Sequence, residues 1–328
     1  MDIGSEVRLS SSQGRLKGGL QAGAKKGWAS FVWICKILVP ASFVVNMLQW
    51  GGLLYRVEPL LAPLMRLINL PGQAALPIIS GMLIGNYATI AVITALPLNL
   101  AQMTLITVFS LIAHNLIVEG LIQHRSGIHM AKITAVRIAS AVLTVFIISQ
   151  FFTDTTASVT VPAGFMNSAP LTTVLKTWAA DTGRLLLKIL AIIMGVVIGL
   201  ELLRVMGWTS YLIRFFRPVM RILGLSGRTS TLWMTAAIFG LTLGGAVIVE
   251  EAKKESLTEE ELERLHISIG INHSMVEDPA LFLALRIDGF WLWLPKLIAG
   301  IVAVQVYRAA RYLRGKLAQR QVAGNQRL

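Results

Sequence analysis

Residues 63–72 read PLMRLINLPG, and residues 218–227 read PVMRILGLSG. Pro63, Met65, Arg66, Leu70 and Gly72 recur as Pro218, Met220, Arg221, Leu225 and Gly227, and three further positions exchange one aliphatic residue for another. The same spacing of 155 positions (63 to 218) carries Gly85 onto Gly240. It also carries Ala91-Val92-Ile93 onto Ala246-Val247-Ile248. Internal similarity at a long fixed period governs architecture, so the chain reads as two related halves. Further on, His114-Asn115-Leu116-Ile117-Val118-Glu119 aligns with Asn272-His273-Ser274-Met275-Val276-Glu277 at a spacing of 158 (114 to 272). In this register His and Asn trade places while Val and Glu are kept, and the second half gains three residues, placed in the charged loop 251–265.

The composition sets the solvent. Of 328 residues, 55% are hydrophobic and 14% charged, with a mean hydropathy of +0.66. A soluble domain averages about 25% charged residues and could not hide this much apolar surface. The chain is therefore predicted to be an all-α polytopic protein whose main partner is the lipid bilayer. The net charge of +13 comes from Lys and Arg placed between apolar runs, which fits cytoplasmic loops and argues against nucleic acid. Cys35 is the single cysteine, so no disulfide framework or thiolate metal cluster can form within one chain.

A spanning helix needs about 20 apolar residues. Ten candidate segments lie at roughly 29–50, 53–70, 73–98, 100–123, 131–152, 172–206, 208–225, 229–250, 258–286 and 289–310. The expectation is eight to ten transmembrane helices in two five-segment repeats. The segments 53–70 and 208–225 are short, hold Pro59, Pro63 and Pro218, and bear several Arg residues, so they either span or lie in the interface. Five crossings per half make the second half an inverted copy. The division is a flexible basic cytoplasmic tail (1–27), a first repeat (28–152), an external loop (153–171), a second repeat (172–310) and a basic cytoplasmic tail (311–328). The basic N-terminus, the segment 124–137 with Arg125, Lys132 and Arg137, and the C-terminal tail all point inside. This places both termini in the cytoplasm of a bacterial-type inner membrane. Arg217, Arg221 and Arg228 resist a ten-crossing topology, because they fall near an outside end. Asn99-Leu100-Ala101-Gln102 and Thr258-Glu259-Glu260-Glu261 are capping-box patterns that start equivalent helices.

Ionisable residues inside the bilayer cost at least ~2.5–3.5 kcal/mol each. His114 and Glu119 lie in one apolar run, and His273, Glu277 and Asp278 in its counterpart. Asn115 and Glu119 are four apart, as are His273 and Glu277, so each pair shares a helical face. His114, five from Glu119, points partly elsewhere. Two readings stand: a polar site for a cation, proton or solute, or interhelical hydrogen bonds that hold the halves together. His with carboxylate also suits a divalent metal, with His114, Glu119, His273 and Glu277 as the available ligands. The glycines Gly81, Gly85, Gly240, Gly244 and Gly245 sit in mid-segment. They either break helices and expose backbone dipoles to a ligand or permit close packing. If the helices are broken, Asn86 offers its amide to a solute.

At these residues the chain resembles the nucleoside-recognition, or Gate-domain, family of membrane proteins. The resemblance runs through Pro77-Ile78-Ile79-Ser80-Gly81-Met82-Leu83-Ile84-Gly85-Asn86, His114-Asn115 with Glu119, and Asn272-His273-Ser274-Met275-Val276-Glu277-Asp278, within about residues 30–310. Relatives include the membrane part of ferrous-iron permeases, spore maturation proteins and concentrative nucleoside transporters. The resemblance implies transport through two symmetry-related gates. The chain departs from the ferrous-iron branch: these residues hold no GTPase domain and neither Gate stretch has a cysteine. The expectation is a permease rather than an enzyme, without cofactor, holding a small solute or cation between the halves near Asn86, His114, Asn115, Glu119, Asn272, His273, Glu277 and Asp278. The alternatives are a divalent-metal permease and a non-transporting assembly or maturation factor that works through a partner membrane protein or as a homo-oligomer.

Overall fold

The computed structural model describes residues 3–156, 170–225, 227–253 and 257–325. Among these residues the fold is all helical. The elements are α1 (Ile3–Trp50), α2 (Leu53–Arg66), α3 (Ala75–Ile84), α4 (Asn86–Ala95), α5 (Leu100–Ile112), α6 (Leu116–Arg125), α7 (Met130–Ser149), α8 (Leu171–Val205), α9 (Thr209–Ile222), α10 (Gly227–Lys253), α11 (Glu259–Asn272), α12 (Glu277–Phe282) and α13 (Gly289–Asn325). Short 3-10 turns precede α3 and follow α12.

Among the described residues, five stretches are long and apolar enough to cross a membrane: 14–50, 100–125, 130–149, 171–205 and 289–317. This is fewer than the eight to ten expected, and the missing ones have physical causes. Helices α2 and α9 are 14 residues each and hold Pro59, Pro63 and Pro218 inside. Each Pro removes a backbone hydrogen bond, and the exposed Leu60, Leu64, Tyr211 and Phe215 accompany several Arg residues. Such helices suit the interface plane. Met65 and Met220, both buried, seat them on the core.

The predicted segment 73–98 folds back on itself. Gly85 has φ 123° and ψ 179°, a region that only glycine occupies readily. Beyond it, the Thr89 hydroxyl donates to the Pro77 carbonyl at 3.3 Å. In one straight helix those residues would stand about 18 Å apart. A Cβ on Gly81 would come within 2.2 Å of Thr89 Oγ1 and 2.7 Å of Ser110 Oγ, so Gly81 serves close packing. Gly240, with φ 77° and ψ 170°, interrupts α10 with the same kind of dihedral. Gly85 and Gly240 are thus the breaks, while Gly244 and Gly245 lie in the helical part of α10.

Helix continues into both segments expected as tails, as far as they are described. Helix α1 runs through residues 14–27 and lies antiparallel to α8, with Gly19 beside Val205, Gly23 beside Ile198 and Gly27 beside Met194. The small residues let the two backbones approach, and Lys26 pairs with Glu201 at 2.9 Å. Helix α13 likewise continues to Asn325. Most of the predicted external loop, residues 157–169, lies outside the described residues.

Both capping boxes form. Asn99 Oδ1 accepts from the Gln102 amide at 2.9 Å and Thr258 Oγ1 from the Glu261 amide at 3.2 Å, each answered by the reciprocal bond. Helix α5 packs against α7 and α13, and α11 packs against α13 and α7. Helices α5–α6 and α11–α12 also run in opposite directions. His114 meets His273, whereas Ser126, further along, meets His266, which lies earlier.

Candidate functional site

The site is built where two helices come apart. Helix α5 ends at Ile112 and α6 begins at Leu116; between them Asn115 takes a left-handed conformation, φ 48°. Helix α11 ends at Asn272 and α12 begins at Glu277; between them Ser274 takes φ 50°. Each break exposes carbonyls that a buried cation satisfies. Arg137 on α7 donates to the Ile112 carbonyl at 3.0 Å and the His114 carbonyl at 2.8 Å. Lys296 on α13 donates to the His273 carbonyl at 2.7 Å. Both cations are 1% exposed. Each break is also pinned to the neighbouring bent segment: the Asn115 amide donates to the Gly81 carbonyl at 2.8 Å, and the Ser274 amide to the Ala236 carbonyl at 3.2 Å.

At the breaks the two imidazoles meet. His114 Nδ1 lies 2.8 Å from the Ser110 carbonyl and His273 Nδ1 lies 2.9 Å from the Ile269 carbonyl. A carbonyl oxygen only accepts, so both Nδ1 atoms carry hydrogen, and each ring turns its Nε2 into the cluster. The two Nε2 atoms are 3.1 Å apart. Glu119 Oε1 lies 3.4 Å from His114 Nε2 and 3.0 Å from His273 Nε2. Its other oxygen accepts from Arg137 Nη1 at 2.6 Å. Asp278 Oδ2 lies 3.2 Å from His114 Nε2. His114, Glu119 and His273 are all buried, and their ligand atoms lie within 4.8 Å of one another, a set that could hold a metal ion.

A cavity of about 420 Å³ adjoins this cluster. Its walls include Asn86, His114, Asn115, Glu119, His273, Glu277 and Asp278, with Gly85 and Gly240 at the two helix breaks. The structure thus brings seven of the eight predicted binding residues to one place. The eighth, Asn272, stands apart: it is buried against Gly300 and neither of its amide atoms has a partner among the described residues. Asn86 accepts from Ser110 Oγ at 2.8 Å, and its Nδ2 has no partner among the described residues.

Three expectations are corrected. Between the like features of the two breaks (His114 and His273, left-handed Asn115 and Ser274, Glu119 and Asp278) the spacing is 159, against the 158 of the sequence register. The capping boxes at Asn99 and Thr258 already have that spacing, so four residues are gained before Thr258. His114 does not point away from Glu119, because the break at residues 113–115 ends the regular helix on which the five-residue argument rested. Glu277 does not join the metal-competent set; it accepts from the Tyr87 hydroxyl at 3.0 Å.

Arg137, read from sequence as part of a cytoplasmic loop, is in the core of the site, and Lys296, Tyr87 and Ser274 were not foreseen. The spacing of 159 that relates the histidines also relates Arg137 to Lys296, and that signal was available in the sequence.

A family model described as Gate, nucleoside recognition, matches residues 31–151 and 186–277. Among curated proteins, the uncharacterized membrane protein YvoD of Bacillus subtilis (strain 168) is 27% identical over 289 residues, spanning 87% of this chain and 91% of that protein. No solved structure matches.

Proposed function

The chain belongs to the Gate, nucleoside-recognition family of membrane proteins, and from that premise we propose that it is a permease. Its small polar solute or ion rests at mid-membrane, between two halves related as inverted repeats. The observation that carries this reading is the contact of His114 with His273, 3.1 Å between Nε2 atoms. Each imidazole comes from a helix break in a different half, and each break is capped by a buried cation. Interrupted helices that line a cavity at a repeat interface are a recurring transporter arrangement. Packing alone would not require ionisable groups from both halves at one point, given their cost in lipid.

The repeat register supports inversion. Each half runs long helix, short amphipathic helix, glycine-broken segment, unwound helix, long helix. If the unwound pairs α5–α6 and α11–α12 both cross and the glycine-broken segments re-enter, each half has three crossings. An odd number places the halves in opposite orientation. Rocking of one half on the other would then expose the site to each side in turn.

The test is uptake by the purified full-length chain in liposomes, across nucleosides, divalent metals and organic acids. Uptake of one class is expected, and Glu119→Gln should abolish it, since the change removes the carboxylate that lies within 3.4 Å of both Nε2 atoms. Full uptake in that variant would remove the site from the mechanism.

A further inference from the structure

Resting on the transport reading above, we propose that the cargo is a divalent transition-metal ion, held by His114 Nε2, His273 Nε2 and Glu119 Oε1. The geometry is the first support. Metal–nitrogen and metal–oxygen bonds to such ions are about 2.0–2.2 Å, so two ligand atoms at tetrahedral angles stand about 3.3–3.6 Å apart. The three edges here are 3.1, 3.0 and 3.4 Å, close to that spacing before an ion has drawn the ligands into place.

Tautomer chemistry is the second support. With both Nδ1 atoms committed to carbonyls, neutral rings turn their Nε2 lone pairs toward one another and toward Glu119 Oε1, a repulsive contact that a cation between them relieves. The Nδ1–H to carbonyl bond is also the usual outer-shell device that orients a metal-bound imidazole. Glu119 is oriented in the same way, by Arg137 on its far oxygen.

Charge gives the third. Glu119, Glu277 and Asp278 bring three carboxylates to the cavity wall, against the buried cations Arg137 and Lys296. The formal balance is negative, which favours a cation. Two imidazole donors select borderline ions such as Zn²⁺, Fe²⁺ or Co²⁺ over Na⁺, Mg²⁺ or Ca²⁺, which take oxygen shells.

A site with three protein ligands leaves a coordination position open, which suits a cargo that must leave. Asp278, beside His114, is placed to take over as a ligand during release. Asn86 offers its unpartnered amide nitrogen to a water that accompanies the ion. The two imidazoles belong to different halves, so a rocking motion that parts them dismantles the site.

The experiment uses Co²⁺ alone with the full-length chain in detergent, followed by its visible absorption and by calorimetry. One equivalent should bind near neutral pH, with the intense bands of a low-coordinate site, and binding should weaken on acidification as protons compete for the imidazoles. His114→Gln and His273→Gln should each weaken binding by at least ~10-fold, whereas His124→Ala with His129→Ala should leave it intact. Absence of stoichiometric Co²⁺ binding, or binding indifferent to both site variants, overturns the proposal. If the site variants fail to fold, X-ray absorption of the Zn²⁺-loaded native chain decides. Two imidazole nitrogens in the shell sustain the proposal, and an all-oxygen shell overturns it. Failure of the two readings is distinguishable. Co²⁺ bound at this site without metal uptake in liposomes would sink transport and keep the site. No Co²⁺ binding, with Glu119-dependent uptake of another solute, would sink the metal and keep transport.

Discussion

Arg137 shows what a single residue does in this fold. Its guanidinium holds Glu119 and two carbonyls of the helix break together, so one side chain both satisfies orphaned backbone groups and orients a site carboxylate. Removing one partner of a buried pair costs about 3–5 kcal/mol, because the other is left uncompensated. Arg137→Met is therefore expected to lower the unfolding stability of the purified chain by about that much. Arg137→Met with Glu119→Gln should cost less than the two single changes summed, since the stranded charge is gone. Additive losses in thermal or denaturant unfolding would show that the pair is not coupled. The residue scale is also where sequence reasoning was weakest. His114, Glu119, His273 and Asp278 stood out by being ionisable in apolar runs. Arg137 did not, because a basic residue close to a basic loop is read as part of that loop.

At the scale of elements, the bent segments depend on two glycines. Gly85 connects α3 and α4 in a backbone region that costs a side chain about 1–3 kcal/mol, and Gly240 holds the corresponding place in α10. Gly85→Ala should lower the melting temperature and loosen the contact between the Asn115 amide and the Gly81 carbonyl. Gly195→Ala, inside α8 with nothing within 4 Å of its added Cβ, should be neutral or slightly stabilising by helix propensity. Equal effects from the two substitutions, measured by thermal unfolding in one detergent, would refute the argument from backbone conformation. Much at this scale was legible. The capping boxes at Asn99 and Thr258 marked their helix starts, and the Pro-bearing amphipathic stretches marked α2 and α9. Hydropathy hid the fold-back of residues 73–98, because a re-entrant hairpin and a spanning helix are equally apolar.

For the whole molecule, the number of crossings decides which charges face the cytoplasm. With three crossings per half, Arg217 and Arg221 of α9 and Arg228 at the start of α10 fall on the same side as both termini. The Arg cluster that resisted ten crossings then obeys the positive-inside tendency. In a Cys35→Ser background, a cysteine placed by Arg217→Cys should react with a membrane-impermeant maleimide only from the cytoplasmic side. One placed by Thr153→Cys, beyond α7, should react only from outside. Labelling of both from the same side would contradict six crossings. The amino-acid order alone determined that the chain lives in lipid, that its two halves share a pattern, and that polar groups are spent in equivalent apolar runs. Hydrophobicity, glycine, proline and capping residues act locally, so they can be read along the chain. Only the tertiary structure decided that the histidines touch, that the spacing is 159, and that Arg137 and Lys296 close the breaks. Those facts depend on helices that stop and restart, and once a helix is broken, residue spacing no longer says which way a side chain points.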